Sequence, residues 1–271
     1  MKTIIAPTDF SAVSTNAVDY AADMAVDLCA ELILFHVSEQ PVAVSEVSFT
    51  VPVYDKIVSE EKITNLKNSL NIRTKNKINI RIKNIADTIH NELEDLCKQK
   101  KPFAVVMGTH GNRTIQRFFI GSTTFYAARH LPYPVLVVPA GVRYKPVKKI
   151  ALASDFKTIN TIGLYEIRTI LTAFSATLEI VHVNKDSGEV GKVPIEKSLL
   201  ENYLKEFHPK FHLINNSSVE KGIELFVQKN DIDLILILPK KHGPFHKSQS
   251  KEFVFHSPVP VITIHEEKNF L

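Results

Sequence analysis

Short apolar runs alternate with longer amphipathic segments along the chain. In the N-terminal half, runs rich in Val, Ile and Leu are continuous rather than alternating, which is typical of strands covered on both faces of a sheet. The segments between them carry apolar residues at helical spacing. The predicted strands are Thr3–Pro7, Glu31–Val37, Lys77–Ile82, Phe103–Met107 and Pro134–Val138. The predicted helices are Ser14–Ala30, with Ser14 as N-cap, Asp55–Asn68, Asp87–Lys100 and Ser122–His130.

This order of elements predicts an α/β fold with a doubly wound parallel sheet. Parallel neighbouring strands need long crossover connections, and the predicted helices supply them. In open sheets of this kind, ligands bind beyond the carboxyl ends of the strands, where the strand order reverses. We therefore expect a binding site among the loops that follow the strands.

The same pattern occurs twice. Lys2–Phe10 is matched by Lys148–Phe156, and Leu32–Val37 by Leu178–Val183, both 146 residues later. Phe103–Met107 is matched with Leu234–Leu238 at an offset of 131, and Pro134–Val138 with Pro260–Ile264 at an offset of 126. The sequence thus predicts two tandem five-stranded parallel-sheet domains, residues 1–143 and 146–271, joined by a short link containing Gly141 and Pro146.

The fifth strand of each copy would form an apolar edge of its sheet. Exposed apolar edges are prone to aggregation and are paired or covered in native proteins. Antiparallel pairing of Pro134–Val138 with Pro260–Ile264 would protect both edges. We therefore expect the two domains to pack as an intrachain pseudo-dimer, which could associate further into a homodimer.

Composition narrows the class of protein. The chain has 271 residues, of which 44% are hydrophobic and 23% charged, as in ordinary globular proteins. A net charge of +4 is too small to indicate a nucleic-acid or membrane coat. No apolar run approaches the roughly 20 residues that a bilayer requires, and no secretory leader is evident. We expect a cytoplasmic protein with no membrane or nucleic-acid partner, and two buried reduced thiols at Cys29 and Cys97.

A glycine-rich loop follows the fourth predicted strand. Gly108 and Gly111 are separated by two residues, and nine more precede the pair Gly121-Ser122. Glycine permits positive φ and lets backbone N–H groups approach an anion. The last pair opens a helix whose N-terminal amides favour phosphate oxygens, with the Ser122 and Thr123 hydroxyls as further donors. The loop is not a Walker sequence, because no Gly-Lys-Ser/Thr follows.

Charge around this loop is also one-sided. No acidic residue occurs between Cys97 and Asp155, whereas ten Lys and Arg residues do. Arg113 and Arg117 lie inside the loop itself. We expect a positive field for a polyphosphate, although ordinary solvated cations would give the same count.

Asp9 follows the first predicted strand, at the expected rim of the site. A carboxylate there can bind a sugar hydroxyl or help to hold a divalent cation beside phosphates. It can equally form an Asx turn or N-cap before the first helix. The sequence leaves both roles open.

These motifs resemble the universal stress protein family, and the chain is similar to a tandem, two-domain member over nearly its whole length. The resemblance rests on Gly-x2-Gly-x9-Gly-Ser, on Pro7–Ser11 and on Leu34–Val37. It implies ATP or AMP bound in the first copy, with Mg²⁺ able to accompany ATP. The implied adenine and ribose contacts are Pro7, Thr8, Asp9, Val37 and Met107. The implied phosphate contacts are Gly108, His110, Gly111, Gly121, Ser122 and Thr123.

The second copy departs from the motif. The offset of 131 puts Pro239, which has no N–H, in the place of Gly108, and Lys247 falls in the place of Gly121. We therefore expect no ATP in this degenerate domain, whose role would be to complete the fold. The segment Ser38–Asp55, mostly missing from the second copy, would be a flap over the nucleotide or an intermolecular contact.

The function predicted from the sequence is nucleotide binding with a regulatory or stress-response role. No general base is evident apart from His110, so slow ATP hydrolysis is the most that we expect, and we assign no catalytic or metal-binding residue. One alternative is an ATP-using hydrolase or adenylating enzyme of the adenine-nucleotide hydrolase-like superfamily. Another is an interaction protein that binds no nucleotide. The recurring His36 and His182, and His130 and His256, lack zinc-site spacing and are expected to be structural.

Overall fold

The computed structural model of the protein describes residues 1–38, 52–109, 121–154, 161–184, 195–238, 254 and 256–264. The strands are β1 (Thr3–Pro7), β2 (Glu31–Ser38), β3 (Ile80–Ala86), β4 (Ala104–Gly108), β5 (Val135–Val138), β6 (Lys149–Ala153), β7 (Thr177–Asn184), β8 (Lys210–Asn215), β9 (Leu234–Ile237) and β10 (Val261–Thr263). The helices are α1 (Ala12–Asp27), α2 (Pro52–Arg73), α3 (Ile89–Lys100), α4 (Ser122–His130), α5 (Thr161–Phe174), α6 (Ile195–Leu204) and α7 (Val219–Asn230).

The described strands form one ten-stranded sheet. Its order is β3-β2-β1-β4-β5-β10-β9-β6-β7-β8, and the pairing is parallel within each half. The halves meet where β5 and β10 run antiparallel, with Val137 beside Val261 and Leu136 beside Ile262. The predicted α/β class, the pairing of the two fifth strands and the intrachain pseudo-dimer are therefore confirmed. Because the seam is antiparallel, the carboxyl ends of the strands in the two halves lie at opposite edges of the sheet.

Each face of the sheet carries one hydrophobic core that extends across both halves. Helices α1, α2, α5 and α6 cover one face, and α3, α4 and α7 cover the other. On the first face, Phe103 and Phe174 from different halves meet edge to face with ring centroids 6.1 Å apart. Burial of apolar area is the dominant stabilising contribution in such a layered fold, so the halves share the source of their stability.

The strand register corrects one predicted alignment. Ile4 lies beside Ala104, and Ile150, its match 146 residues later, lies beside Leu234. The fourth strands therefore correspond at an offset of 130, so the predicted offset of 131 is wrong by one residue. Both segments are runs of aliphatic residues, and a shift of one leaves the apolar pattern almost unchanged. Leu238, rather than Pro239, is the counterpart of Gly108.

Two further predictions are corrected at the ends of α1. Its N-cap is Ser11 rather than Ser14, because the Ser11 hydroxyl accepts the backbone N–H of Ser14 at 3.2 Å. Its other end turns sharply at Cys29, which has a φ of 49° and an exposed side chain. The prediction of two buried thiols is therefore right for Cys97 and wrong for Cys29.

The boundaries of two other elements also differ from those predicted. β3 begins at Ile80 rather than Lys77, because its pairing with β2 starts with Ile80 beside Leu32. α2 extends from Pro52 to Arg73, beyond the predicted Asp55–Asn68, because Leu70 packs fully buried in the core.

The link between the halves is fixed at both ends. Arg143 pairs with Asp19 of α1 at 3.0 Å, and the Tyr144 hydroxyl donates to Asp27. Lys145 lies 2.6 Å from Asp233, just before β9. The link thus contacts both halves through side chains, in addition to the shared sheet.

None of the helices in the described part of the chain combines the length and apolarity needed to cross a bilayer.

Candidate functional site

A crevice forms where the strand order reverses in the N-terminal half. β1 lies between β2 and β4, and the helices that follow β1 and β4 cover opposite faces of the sheet. The carboxyl ends of these three strands lead into Thr8, Val37 and Gly108, all at the same edge. This topology brings the described members of the predicted site to the place where open α/β sheets bind ligands.

The turn after β1 is held by side chains. The Asp9 carboxylate accepts the backbone N–H of Ser11 at 3.0 Å, and the Thr8 hydroxyl accepts that of Phe10 at 3.0 Å. Asp9 therefore forms the Asx turn that the sequence allowed, while its role toward a sugar stays a prediction. Burial raises the pKa of Asp9, but hydrogen bonds from Ser11 and Ser14 outweigh it and hold the pKa below its ordinary value.

His36 supports this turn from β2. Its Nδ1 lies 2.7 Å from the Thr8 carbonyl oxygen, and its ring packs against Phe10 with centroids 4.4 Å apart. A carbonyl oxygen can only accept, so Nδ1 carries the proton. The sequence predicted a structural role for this histidine but not its partner.

Gly108 permits a close approach of α1 to the end of β4. A Cβ added there would lie 2.7 Å from both Cγ1 and the carbonyl oxygen of Val13. Neither Gly108 nor Gly121 has a positive φ, so the expected backbone freedom is not the reason for these glycines. The sequence did not identify Val13, because it reads there as an ordinary helix residue.

The N-terminus of α4 faces the end of β4. The buried Thr124 donates its hydroxyl to the Gly108 carbonyl at 3.1 Å, which fixes the first turn of α4 against the strand. The N-cap of α4 is Gly121, which offers no side chain to the first N–H groups, whereas α1 and α7 are capped by Ser11 and Ser218. Within the described residues no side chain therefore caps the amides at the start of α4, the place where the glycine pattern predicts a phosphate.

Part of the predicted phosphate loop cannot be placed. His110, Gly111, Arg113 and Arg117 lie outside the described residues, as does most of the segment 38–55.

Several of the expected cations are engaged elsewhere. Lys98 pairs with Asp95 at 3.1 Å, and Arg143 and Lys145 hold the link between the halves. These three residues do not supply the predicted positive field, because their charges are matched by carboxylates. Groups of three or more His, Cys, Asp or Glu side chains suited to a metal ion are absent from the part of the chain that the structure describes.

Apolar side chains flank Val37. Ile85 is its register partner on β3, and Ile89 begins α3; all three are partly buried against the same core. The sequence analysis missed Ile85, because the predicted β3 stopped at Ile82. The three side chains form an aliphatic wall beside the crevice.

At the corresponding place in the C-terminal half, α7 packs close to the end of β7. Ile223, Phe226 and Val227 of α7 are buried, 130 residues after the buried Leu93, Leu96 and Cys97 of α3. By the same offset Gly222 replaces Glu92, and a Cβ on Gly222 would lie only 2.8 Å from Val183, the counterpart of Val37. α7 thus packs directly on the end of β7.

Comparison with known proteins shows which family the sequence matches. The sequence profile of the universal stress protein family matches residues 1–139. A universal stress protein of Methanocaldococcus jannaschii is 27% identical over 138 residues, which make up 51% of this chain and 81% of that protein.

Solved structures share the fold. A universal stress protein from Archaeoglobus fulgidus aligns over 98% of both chains with a TM-score of 0.74 and 16% identity. A universal stress protein solved in complex with cAMP is 26% identical, covers 52% of this chain and 98% of its own, and has a TM-score of 0.40. The first similarity includes the arrangement of both halves.

Proposed function

The chain belongs to the universal stress protein family, and from this premise we propose that its N-terminal half binds an adenine nucleotide, ATP or AMP. Binding would serve a regulatory or stress-response role. The predicted contacts are Pro7, Thr8, Asp9, Val37, Met107, Gly108, His110, Gly111, Gly121, Ser122 and Thr123.

One observation carries the proposal: the start of α4 is uncapped by a side chain and is anchored at the switch point by the contact of Thr124 with Gly108. Helix N-terminal amides bind phosphate through hydrogen bonds and the helix dipole. The N-cap of α3, Thr88, also makes no side-chain cap bond, so it is the place of α4 at the switch point that favours an anion at its amides.

The remainder of the nucleotide has suitable neighbours. The aliphatic wall at Val37 suits the flat apolar faces of a base, and Asp9 suits a ribose hydroxyl. Among the described residues of the crevice, Asp9 offers a carboxylate to a magnesium ion bound with ATP, and phosphates and water would supply further ligands.

We propose a single competent site. In the C-terminal half, Leu238 stands where Gly108 permits close packing, and Gly222 brings α7 onto Val183. Space for a base beside that strand end is therefore reduced.

Fast catalysis is not part of the proposal. A carboxylate with a lowered pKa, as Asp9 has, is a weak general base near neutral pH. We expect slow ATP hydrolysis at most. Multiple turnovers by the purified protein would instead favour the alternative of a hydrolase or adenylating enzyme, and absence of any bound nucleotide would favour an interaction protein.

The test is native mass spectrometry of the purified chain, followed by calorimetric titration with ATP and AMP. Gly121→Asp should weaken binding by at least about 100-fold, because its carboxylate caps the α4 amides and repels phosphate while remaining a good N-cap. The matched control is Ser218→Asp, which puts the same carboxylate at the N-cap of α7 and should leave affinity unchanged. Unchanged affinity in Gly121→Asp would place the nucleotide elsewhere.

The boundaries 1–143 and 146–271, a cytoplasmic location and further association into homodimers stay predictions from the sequence.

A further inference from the structure

Exposed cations line the edge of the N-terminal half that lies opposite the crevice. The edge consists of the starts of β1 to β4 and the last turns of α3 and α4. Its cations are Lys2, Lys75, Lys77, Lys100, Lys101 and Arg129, all with exposed side chains. None of the six forms an ion pair within the described residues. We call this set the basic edge.

Backbone hydrogen bonds show that the strand starts are adjacent. Glu31 donates its N–H to the Lys2 carbonyl at 3.0 Å, and Phe103 donates to Thr3 at 2.8 Å. Leu32 donates to Asn79, two residues after Lys77, at 2.9 Å. Three strand spacings of about 4.8 Å separate β3 from β4, so the charges gather along roughly 14 Å.

The fold itself does not require these charges, as the C-terminal half demonstrates. Lys101 and Asp231 both follow a helix in the left-handed conformation, with φ of 45° and 51°, yet their charges are opposite. Two cations at the equivalent edge are compensated, because Lys145 pairs with Asp233 and Lys210 lies 3.8 Å from Glu179. Lys148, Lys205 and Lys229 at that edge are exposed and form no ion pair within the described residues, so the N-terminal half differs in the larger number of such cations, six, rather than in having them.

A cavity opens within the basic edge, between the end of α1 and the start of β3. Its volume is about 430 Å³. Its lining is mainly apolar, from Met1, Val26, Ala30 and Ile78. The other lining residues are Cys29, Lys77 and Asn79. The cavity is large enough for one or two apolar side chains and is flanked by positive charge.

We propose that the basic edge binds an acidic segment of a partner protein, with an apolar side chain of that segment inserted in the cavity. Charge complementarity supplies the attraction and an apolar anchor in a pocket supplies affinity, as at other protein interfaces. A single-stranded nucleic acid would be expected to use exposed aromatic side chains for base stacking. The exposed aromatics in the described residues, Tyr165 and Tyr203, instead lie on α5 and α6 of the other half.

The test uses a fluorescent peptide of about eight residues, enough to span the edge, made of Glu and Asp around one central Leu. Binding to the full-length protein is measured by anisotropy, and the contact surface by amide chemical-shift changes. At about 50 mM salt we expect saturable binding that weakens as salt increases. Shifts should concentrate at Ala30, Lys77 and Ile78.

Two matched pairs test the two parts of the proposal. Lys77→Glu with Lys101→Glu should weaken binding by about tenfold or more, whereas Lys205→Glu with Lys229→Glu, an equal charge change at the other edge, should alter it less than about twofold. Replacing the central Leu of the peptide by Ala should cost about tenfold with the native protein. Asn79→Trp should fill the cavity from its rim. The Leu and Ala peptides should then bind this variant with equal affinity.

Three outcomes would overturn the proposal. They are no saturable binding at low salt, equal weakening by both pairs of lysine substitutions, or equal binding of the Leu and Ala peptides to the native protein. Tighter binding of a single-stranded oligonucleotide of the same charge would assign the edge to nucleic acid instead. Because the basic edge is opposite the crevice, each result is independent of whether the protein binds a nucleotide.

Discussion

The Nδ1 atom of His36 lies 2.7 Å from the carbonyl oxygen of Thr8, and the duplicated His182 lies 2.8 Å from that of Ser154. The contact joins the end of the second strand to the turn after the first strand in each half. Only the first of these turns carries the predicted nucleotide contacts, so the second copy is a natural control.

His36→Ala should lower the free energy of unfolding by about 1–2 kcal/mol, because the carbonyl of the buried Thr8 loses its donor. It should also weaken ATP binding by about fivefold, since the turn carrying Asp9 loses its support. His182→Ala should have a similar effect on stability and leave affinity within about twofold. Denaturant unfolding and calorimetry measure the two quantities, and equal affinities in both variants would contradict a positioning role for His36.

Gly108→Ala should both destabilise the fold and remove nucleotide binding. The new methyl group would overlap the Val13 carbonyl, which is backbone and cannot rotate away, so we expect a loss of about 2–3 kcal/mol. Gly222→Ala in the other half is the control, with a Cβ 2.8 Å from Val183 Cγ1, and should lower stability while nucleotide affinity is unchanged. Thermal unfolding with and without ATP distinguishes the two effects.

Thr263→Val should stabilise the protein. Thr263 lies at the seam between the halves, is 1% exposed, and its hydroxyl has no hydrogen-bond partner among the described residues. Replacing the hydroxyl by a methyl group removes an unsatisfied buried polar atom, for an expected gain of about 1 kcal/mol. Thr3→Val should do the reverse, because the Thr3 hydroxyl donates to Glu31 at 3.0 Å. A loss of stability in Thr263→Val would show that the hydroxyl has a partner in solution.

Asp233 should make the free energy of unfolding depend on pH in the acidic range. Burial raises its pKa, but hydrogen bonds from Lys145 and from the backbone of Lys148 and Lys149 outweigh this and lower it below the ordinary 3.8. A lowered pKa means that the stabilisation is complete above pH 3.8 and is lost as the pH falls through the folded-state value. Asp233→Asn should lower the free energy of unfolding by about 2 kcal/mol near neutral pH. The difference from the native protein should become smaller as the pH falls below 3.8.

Lys145→Ala distinguishes the contribution of the Lys145 ammonium to Asp233 from that of the backbone N–H groups of Lys148 and Lys149. Its ammonium is mostly exposed, so its removal should cost less than about 1 kcal/mol. An equal cost for Asp233→Asn and Lys145→Ala in urea unfolding would mean that the ion pair, rather than the backbone donors, anchors the link.

The two thiols should react differently. Burial, with a contribution from Glu94, raises the pKa of Cys97 to about 12, so almost no thiolate forms there at pH 8. Cys29 is exposed after α1. Iodoacetamide should therefore modify Cys29 and spare Cys97 in the folded protein, as peptide mass spectrometry would show. Modification of both at equal rates would contradict the burial of Cys97.

Much of the fold was predictable because the chain repeats. The apolar strand Thr3–Pro7 follows from a continuous apolar run, and the pairing of the two fifth strands from the need to protect apolar edges. The errors occur where apolar pattern alone cannot fix position. Ala104 and its neighbours can be aligned one residue away without changing the pattern, and only hydrogen-bonded register identifies Leu238 as the partner of Gly108.

For the candidate nucleotide site, the sequence indicated which chain segments take part but not which side chains contact one another. The spacing of Gly108, Gly121 and Ser122 indicates a phosphate cradle, whereas the overlap of a Gly108 Cβ with Val13 depends on how α1 crosses the sheet. The exposure of Cys29 likewise depends on where α1 ends, which helical periodicity does not define. Long-range packing, rather than local pattern, determines these features.

Placing both halves in one polypeptide frees them to diverge. In an assembly of two identical chains every substitution occurs twice, so a glycine beside one cleft would always have a glycine beside the other. Here Gly108 and Leu238 occupy equivalent places in a single molecule. Gene fusion thereby allows the N-terminal half to specialise for binding, while the C-terminal half keeps only the surface that completes the sheet.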